Sequence, residues 1–231
     1  MINTTLKALL TSIVTAVLFS SAANAGLILE QYGSNTATPD TIGGYSMTDF
    51  DVFNDNQSGS TSTVTSPLNG ALTLTGRNGD LLNMTRGLAD STNWWVNGET
   101  SDYDIFTTSI NWVTILLPEN TRAFSFNVGS NMSARGWLTA TETDGPGIEN
   151  KQYFGLSANN TPGFGIYTDN SAGQCSAIKS VTIDPFQWGV GNFSINNDPC
   201  STSVPEPATA ALLGLGLAGL LFSRRRPKHV S

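Results

Sequence analysis

The chain has 231 residues, with 18 acidic and 11 basic side chains, a net charge of −7 and 39% hydrophobic composition. So sparse a positive charge excludes nucleic acid as a partner, because phosphate backbones are held by clustered cations. A single histidine, His229 in the extreme tail, excludes Ser-His-Asp or Cys-His catalysis and a His-ligated zinc centre.

At the N-terminus Lys7 supplies a positive region, residues 8–19 are mostly apolar, and Ala23-Asn24-Ala25 forms a small-x-small cleavage site. That order predicts a secretory signal peptide over residues 1–25, with Gly26 as the first mature residue. A first transmembrane helix is the weaker alternative, because the apolar stretch is short and small residues follow it directly. Residues 26–203 then suffice for one domain with a real core. They hold 17 acidic and 6 basic residues, about −11 at neutral pH.

Within the domain, residues 26–31 read as a first edge strand around Leu27-Ile28-Leu29, and 45–53 as a strand with a register break. Residues 54–66 are polar and read as a loop or frayed strand. Leu72 and Leu74 alternate with Thr73 and Thr75, predicting a half-buried strand over 70–76. Short strands follow at 81–84 and at 93–96, the latter carrying Trp94-Trp95. Residues 105–117 read as one strand with Ile110, Trp112, Thr114 and Leu116 on one face, ending at the turn Pro118-Glu119-Asn120. Phe124, Phe126 and Val128 alternate through 122–128, and Trp137-Leu138 opens a further strand over 136–143. Strands at 153–156, 163–167, 178–183 and 193–195 complete the set.

No window in this domain sustains a 3.6-residue period with caps. Short strands spaced by turn residues predict an all-β fold, an antiparallel β-sandwich. Cys175 and Cys200, both in the exported part, predict a disulfide in an oxidising compartment.

Three constellations are candidates for binding chemistry. Asp49, Asp51 and Asp55, and separately Asp102 and Asp104, cluster hard oxygen ligands suited to calcium, although neither run matches an EF-hand loop and Asx turns explain them as well. Trp94 and Trp95, with Trp112, Trp137 and Trp188, offer flat rings on which sugars stack. Adjacent tryptophans on a strand point to opposite faces, so alternation buries at most one of Trp94 and Trp95. Carboxylates alone can hydrolyse glycosides, but nothing in the sequence pairs two acids as acid and base.

The C-terminus has three parts in order. Val204, Pro205, Glu206 and Pro207 hold the backbone extended and outside any helix. Residues 208–222 are uncharged and rich in Ala, Leu and Gly, and Arg224, Arg225 and Arg226 follow, with Lys228 beyond them. At ~1.5 Å per residue the apolar run spans roughly 22 Å as a helix, short of a ~30 Å hydrocarbon core. The arginines fix its far end on the cytoplasmic side.

This arrangement over residues 204–231 resembles the PEP-CTERM sorting signal of exosortase substrates; an ordinary membrane anchor is the alternative. The resemblance implies that Pro205, Glu206 and Pro207 mark the processing region and that the basic cluster stays inside. It implies an exosortase as transient partner, passing residence in the inner membrane of a bacterium with an outer membrane, and association with exopolysaccharide or biofilm. From Trp112 onward, Leu117-Pro118, Ala123-Phe124-Ser125-Phe126 and Tyr153-Phe154-Gly155-Leu156 also resemble, loosely, jelly-roll domains that accompany this signal. The expected function is a non-enzymatic surface or matrix protein; a carbohydrate-binding module is the alternative, and a secreted hydrolase a more distant one.

Overall fold

The computed structural model describes residues 26–34, 36–51, 59–88, 104–130, 132–143, 151–157, 160–169, 176–184 and 188–199. The expected signal peptide and the whole sorting segment lie outside these residues. Compactness divides the chain into two units, Met1–Pro199 and Cys200–Ser231, and all the described residues belong to the first.

Sixteen strands form the described domain: β1 (Leu27–Ser34), β2 (Thr41–Ile42), β3 (Tyr45–Ser46), β4 (Thr48–Asp49), β5 (Gly59–Thr61), β6 (Thr63–Thr65), β7 (Ala71–Thr75) and β8 (Met84–Leu88), followed by β9 (Asp104–Thr108), β10 (Val113–Leu116), β11 (Ala123–Ser130), β12 (Ala134–Glu142), β13 (Gln152–Leu156), β14 (Pro162–Thr168), β15 (Ile178–Asp184) and β16 (Trp188–Asn196). An eight-stranded sheet runs β1-β14-β11-β16-β9-β8-β5, with β4 also on β16; a six-stranded sheet runs β13-β12-β15-β10-β7-β6. Every pairing is antiparallel. From β9 to β16 the chain alternates between the sheets except at the β12-β13 hairpin, building β9-β16-β11-β14 in one and β10-β15-β12-β13 in the other.

The two sheets bury their facing sides against each other, as a sandwich must. Alternation selects the inward residues: Phe124, Phe126 and Val128 from β11, Leu72 and Leu74 from β7, and Val181 and Ile183 from β15 are all fully buried. Six phenyl rings run in contact through this core. Phe106 and Phe124 each stack on Phe193, Phe124 meets Phe126, and Phe164 joins Phe126 to Phe154, with centroids 4.9–5.8 Å apart. Each such ring contributes roughly 1.5–3 kcal/mol on burial.

One expected strand is in fact two. Residues 105–117 do not run continuously: β9 belongs to the larger sheet and β10 to the smaller, and the chain crosses between them at residues 109–112. The crossing is fixed at two points. Trp188 lies in the core and donates its indole N–H to the Ile110 carbonyl at 3.1 Å, and Trp112 adopts a left-handed φ of 67°. Alternation cannot continue through such a residue, so Ile110 is not on the face of Thr114 and Leu116. The polar stretch 54–66 likewise contains β5 and β6, which depend on partners, β8 and β7, rather than on their own hydrophobicity.

Over β14, β11 and β16 the outer side of the larger sheet is covered by its own chain. Residues 36–47, including the β2-β3 hairpin, cross over these three strands. Ile42 is buried against Gly165, and the Tyr32 ring lies where a Cβ on Gly163 would stand. The Tyr45 hydroxyl is 2.8 Å from Thr168 Oγ1, and Asn196 donates to the Ser46 carbonyl at 2.8 Å. At the centre Asn127 is wholly buried and uses all of its hydrogen-bonding capacity. It donates to the Thr36 and Thr161 carbonyls and accepts from Asn192 Nδ2 and the Tyr32 hydroxyl, which it shares with the Phe126 carbonyl. A buried amide so satisfied fixes the strap in one position.

Candidate functional site

The strap covers β14, β11 and β16; on the six-stranded sheet the outer face carries half-buried and exposed side chains such as Thr139, Thr182, Arg135 and Tyr153, and its composition follows from register. Thr114 pairs with Thr182 and with Thr75, Thr139 with Thr182, and Thr141 with Ser180. These side chains are joined by hydroxyl contacts, 2.9 Å between Thr114 and Thr182 and 2.6 Å between Thr141 and Ser180. Such ladders suit a flat sheet face.

Aromatic side chains gather at one end of this face. Trp137 on β12 pairs with Tyr153 on β13 and with Asp184 on β15, while Ile183, next to Asp184, pairs with Val113 on β10. Trp112 immediately precedes Val113, so Trp112, Asp184, Trp137 and Tyr153 make a row across four strands. The positive φ of Trp112 turns its ring onto Trp137, with centroids 4.9 Å apart and planes at 80°. Both indoles are partly buried, and Tyr153 is 70% exposed. Cations flank the row: the Arg77 guanidinium lies 5.0 Å from the Trp112 ring centre and Lys151 Nζ 4.0 Å from that of Trp137. Both distances are within cation–π range. Arg135, exposed two residues before Trp137 on β12, points to the same side.

The sequence-derived candidates fare unevenly. Trp94, Trp95, Asp55 and Asp102 lie outside the described residues, as do Cys175, Cys200 and the residues of the sorting motif and basic cluster. Asp49 sits on β4, exposed, and accepts from Thr38 at 3.3 Å; Asp51 is exposed beyond it. Asp104 opens β9 and is engaged with Arg86 in an ion pair of 3.1 Å. β4 and β9 both pair with β16, at Ser194 and Ile195 and at residues 188–191 respectively, so Asp49 and Asp104 share one strand neighbour. Among the described residues no three His, Cys, Asp or Glu side chains gather as metal ligands. Trp188 belongs to the core. Trp137 and Trp112 join Tyr153 on the open face, and no sequence signal marks their meeting because the register of β10, β15 and β12 creates it.

A separate cleft of about 360 Å³ lies where the turns at Asn69-Gly70 and Pro118-Glu119-Asn120 approach Asn197. Arg122 also lies apart from the row. Its buried guanidinium donates to the Ser176 and Asp198 carbonyls, and burial lowers its pKa. One side chain thus gathers the backbone beside Cys175 and the backbone approaching Cys200.

Residues 203–226 match the PEP-CTERM protein-sorting motif. No curated protein matches the chain. Among solved structures, TmCBM61 in complex with β-1,4-galactotriose is 11% identical, with 58% of this chain and 90% of that one covered and a TM-score of 0.27. The enzymatically active domain of tailspike protein 4 from bacteriophage CBA120 is 14% identical with a TM-score of 0.20. That alignment covers 78% of this chain and 19% of the tailspike. At these TM-scores neither likeness bears on what the chain does. The sorting motif marks the chain as an exosortase substrate, exported to the cell envelope.

Proposed function

We propose, from the sorting motif at its C-terminus, that this is a non-enzymatic surface or matrix protein whose sandwich associates with extracellular polysaccharide. Export begins with removal of residues 1–25. The apolar run 208–222 then holds the protein in the inner membrane until an exosortase cuts near Pro205-Glu206-Pro207. Among the described residues no helix is long and apolar enough to cross a membrane, so this step rests on the C-terminal segment alone. The sandwich is read as a jelly roll, a reading supported by the strand order β9-β16-β11-β14 over β10-β15-β12-β13.

The observation that carries the polysaccharide reading is the open aromatic row Trp112, Asp184, Trp137 and Tyr153, set in a field of threonine hydroxyls. Aromatic faces and hydroxyl or carboxylate acceptors at fixed spacing are what a sugar chain engages. Affinity electrophoresis of the exported protein through gels containing extracellular polysaccharide from an exosortase-bearing bacterium tests it. Retardation that is reduced in Trp137→Ala supports the reading; migration equal to that in an empty gel contradicts it. The second reading, a carbohydrate-binding module for one defined glycan, differs in expecting saturable binding to a single oligosaccharide. The non-enzymatic assignment rests on composition, since the one histidine lies in the tail that sorting removes.

A disulfide between Cys175 and Cys200 belongs to the same proposal. It is supported by Arg122, whose guanidinium bonds the carbonyls of Ser176 and Asp198.

A further inference from the structure

We infer that the open face takes an anionic polysaccharide, a uronate-bearing chain, in preference to a neutral one. The inference rests on the polysaccharide reading and specifies its ligand. Residues 26–203 contain six basic side chains. Arg86 is paired with Asp104 on the other sheet, and Arg122 is buried against backbone carbonyls. Of the remaining four, Arg77, Arg135 and Lys151 surround the Trp112-Trp137 pair, and among the described residues none of the three forms an ion pair.

The geometry decides what these cations can meet. Arg77 lies over Trp112 and Lys151 over Trp137, so each covers an indole face that a neutral sugar ring would otherwise stack on. What Arg77, Arg135 and Lys151 add around the row is a set of charged donors, since ammonium and guanidinium groups only donate. A guanidinium resting on an aromatic plane keeps its N–H edge free for a carboxylate, which it takes in a bidentate fork. The two contacts and the 4.9 Å between the indoles hold the Arg77 and Lys151 charges within about 14 Å of each other, the sum of 5.0, 4.9 and 4.0 Å. Tyr153, exposed beside Trp137, leaves one ring for stacking.

Asp184 within the row and Asp80 in the turn that carries Arg77 offset part of this charge, and the domain as a whole is acidic. Attraction is therefore local, and salt beyond a ~10 Å Debye length screens it. Binding should be steeply salt-dependent.

The test uses the full exported chain in mild detergent, with polygalacturonate, neutral β-1,4-galactan and polyglutamate as probes. The expected result is retention on polygalacturonate that weakens with added NaCl, with little on galactan or polyglutamate. Arg77→Gln and Lys151→Gln should each weaken it about tenfold. Both side chains are exposed, so unchanged circular dichroism and melting temperature will show that the variants are folded. Equal, salt-independent retention on galactan would overturn the inference while leaving the polysaccharide reading standing. Equal retention on polyglutamate would also overturn it, because charge alone would suffice. No retention on either glycan would overturn the inference, and the polysaccharide reading would then stand or fall on the native-polysaccharide gel.

Discussion

Trp112 and Trp137 meet edge to face, 4.9 Å apart at 80°, although Trp112 leads into β10 and Trp137 lies on β12, with β15 between those strands in the sheet. Only the left-handed backbone at Trp112 brings the two rings together across Asp184. A large side chain at positive φ carries strain, so packing of the pair must offset it. Trp137→Ala should remove an aromatic contact worth ~0.5–1.5 kcal/mol beyond area burial. We expect a melting temperature lower by a few degrees, loss of the coupled indole signal in near-ultraviolet circular dichroism, and weaker retention on polysaccharide. An unchanged near-ultraviolet spectrum would show that the rings do not interact.

The strap over the larger sheet depends on the absence of a side chain at Gly163, where the Tyr32 ring occupies the space of a Cβ. Gly163→Ala should displace that ring and with it the Tyr32 hydroxyl that Asn127 shares. The expected loss is ~2–3 kcal/mol, a typical figure for overpacking combined with a disturbed buried hydrogen bond. Gly155→Ala, whose Cβ meets nothing within 4 Å, should be close to neutral. Urea unfolding of the two variants separates them, and equal midpoints would contradict the packing described.

Reduction tests the proposed Cys175–Cys200 bridge. A loop of about 26 residues closed by a disulfide is worth roughly 3.5 kcal/mol on the chain-entropy model, so dithiothreitol should lower the melting temperature by about 7–14 °C for a chain of this size. A Cys200→Ser variant should match the reduced protein. No change on reduction would exclude a structural bridge.

Tyr167 supplies a pH signature. Its hydroxyl donates to Glu30 at 2.7 Å, and that bond, then burial and the nearby Glu30 and Asp169 charges, push its pKa up to about 12. The fold thus prefers the protonated phenol. The associated stability is complete below pH 10 and is lost as pH rises from 10 towards 12. Ultraviolet titration should show one tyrosine ionising late, and Glu30→Gln should return it towards 10. Titration of Tyr167 at an ordinary value in the parent protein would refute the contact.

The sandwich was legible because its core strands alternate cleanly: Leu72 and Leu74, and Phe124, Phe126 and Val128, announce one buried face each. Alternation does not reveal what covers the other face. Ser125, Asn127 and Ser194 are polar and lie on that other face, yet all three are buried, because a stretch from elsewhere in the chain lies over them. The break at Trp112 was hidden for a related reason, since residues 105–117 carry one continuous β-forming pattern and nothing local demands a change of sheet. Individual tryptophans were visible as binding candidates, but their neighbours were not. Which residue faces Trp137 is a matter of register, and register is set by pairings distant in sequence.

Mass spectrometry of the mature protein, recovered from an exosortase-bearing host and from the same host lacking the enzyme, tests the central claim most directly. In the first host the chain should begin at Gly26 and end near Pro205-Glu206-Pro207. In the second it should still carry Arg224 to Lys228. An intact basic tail in both hosts would contradict it.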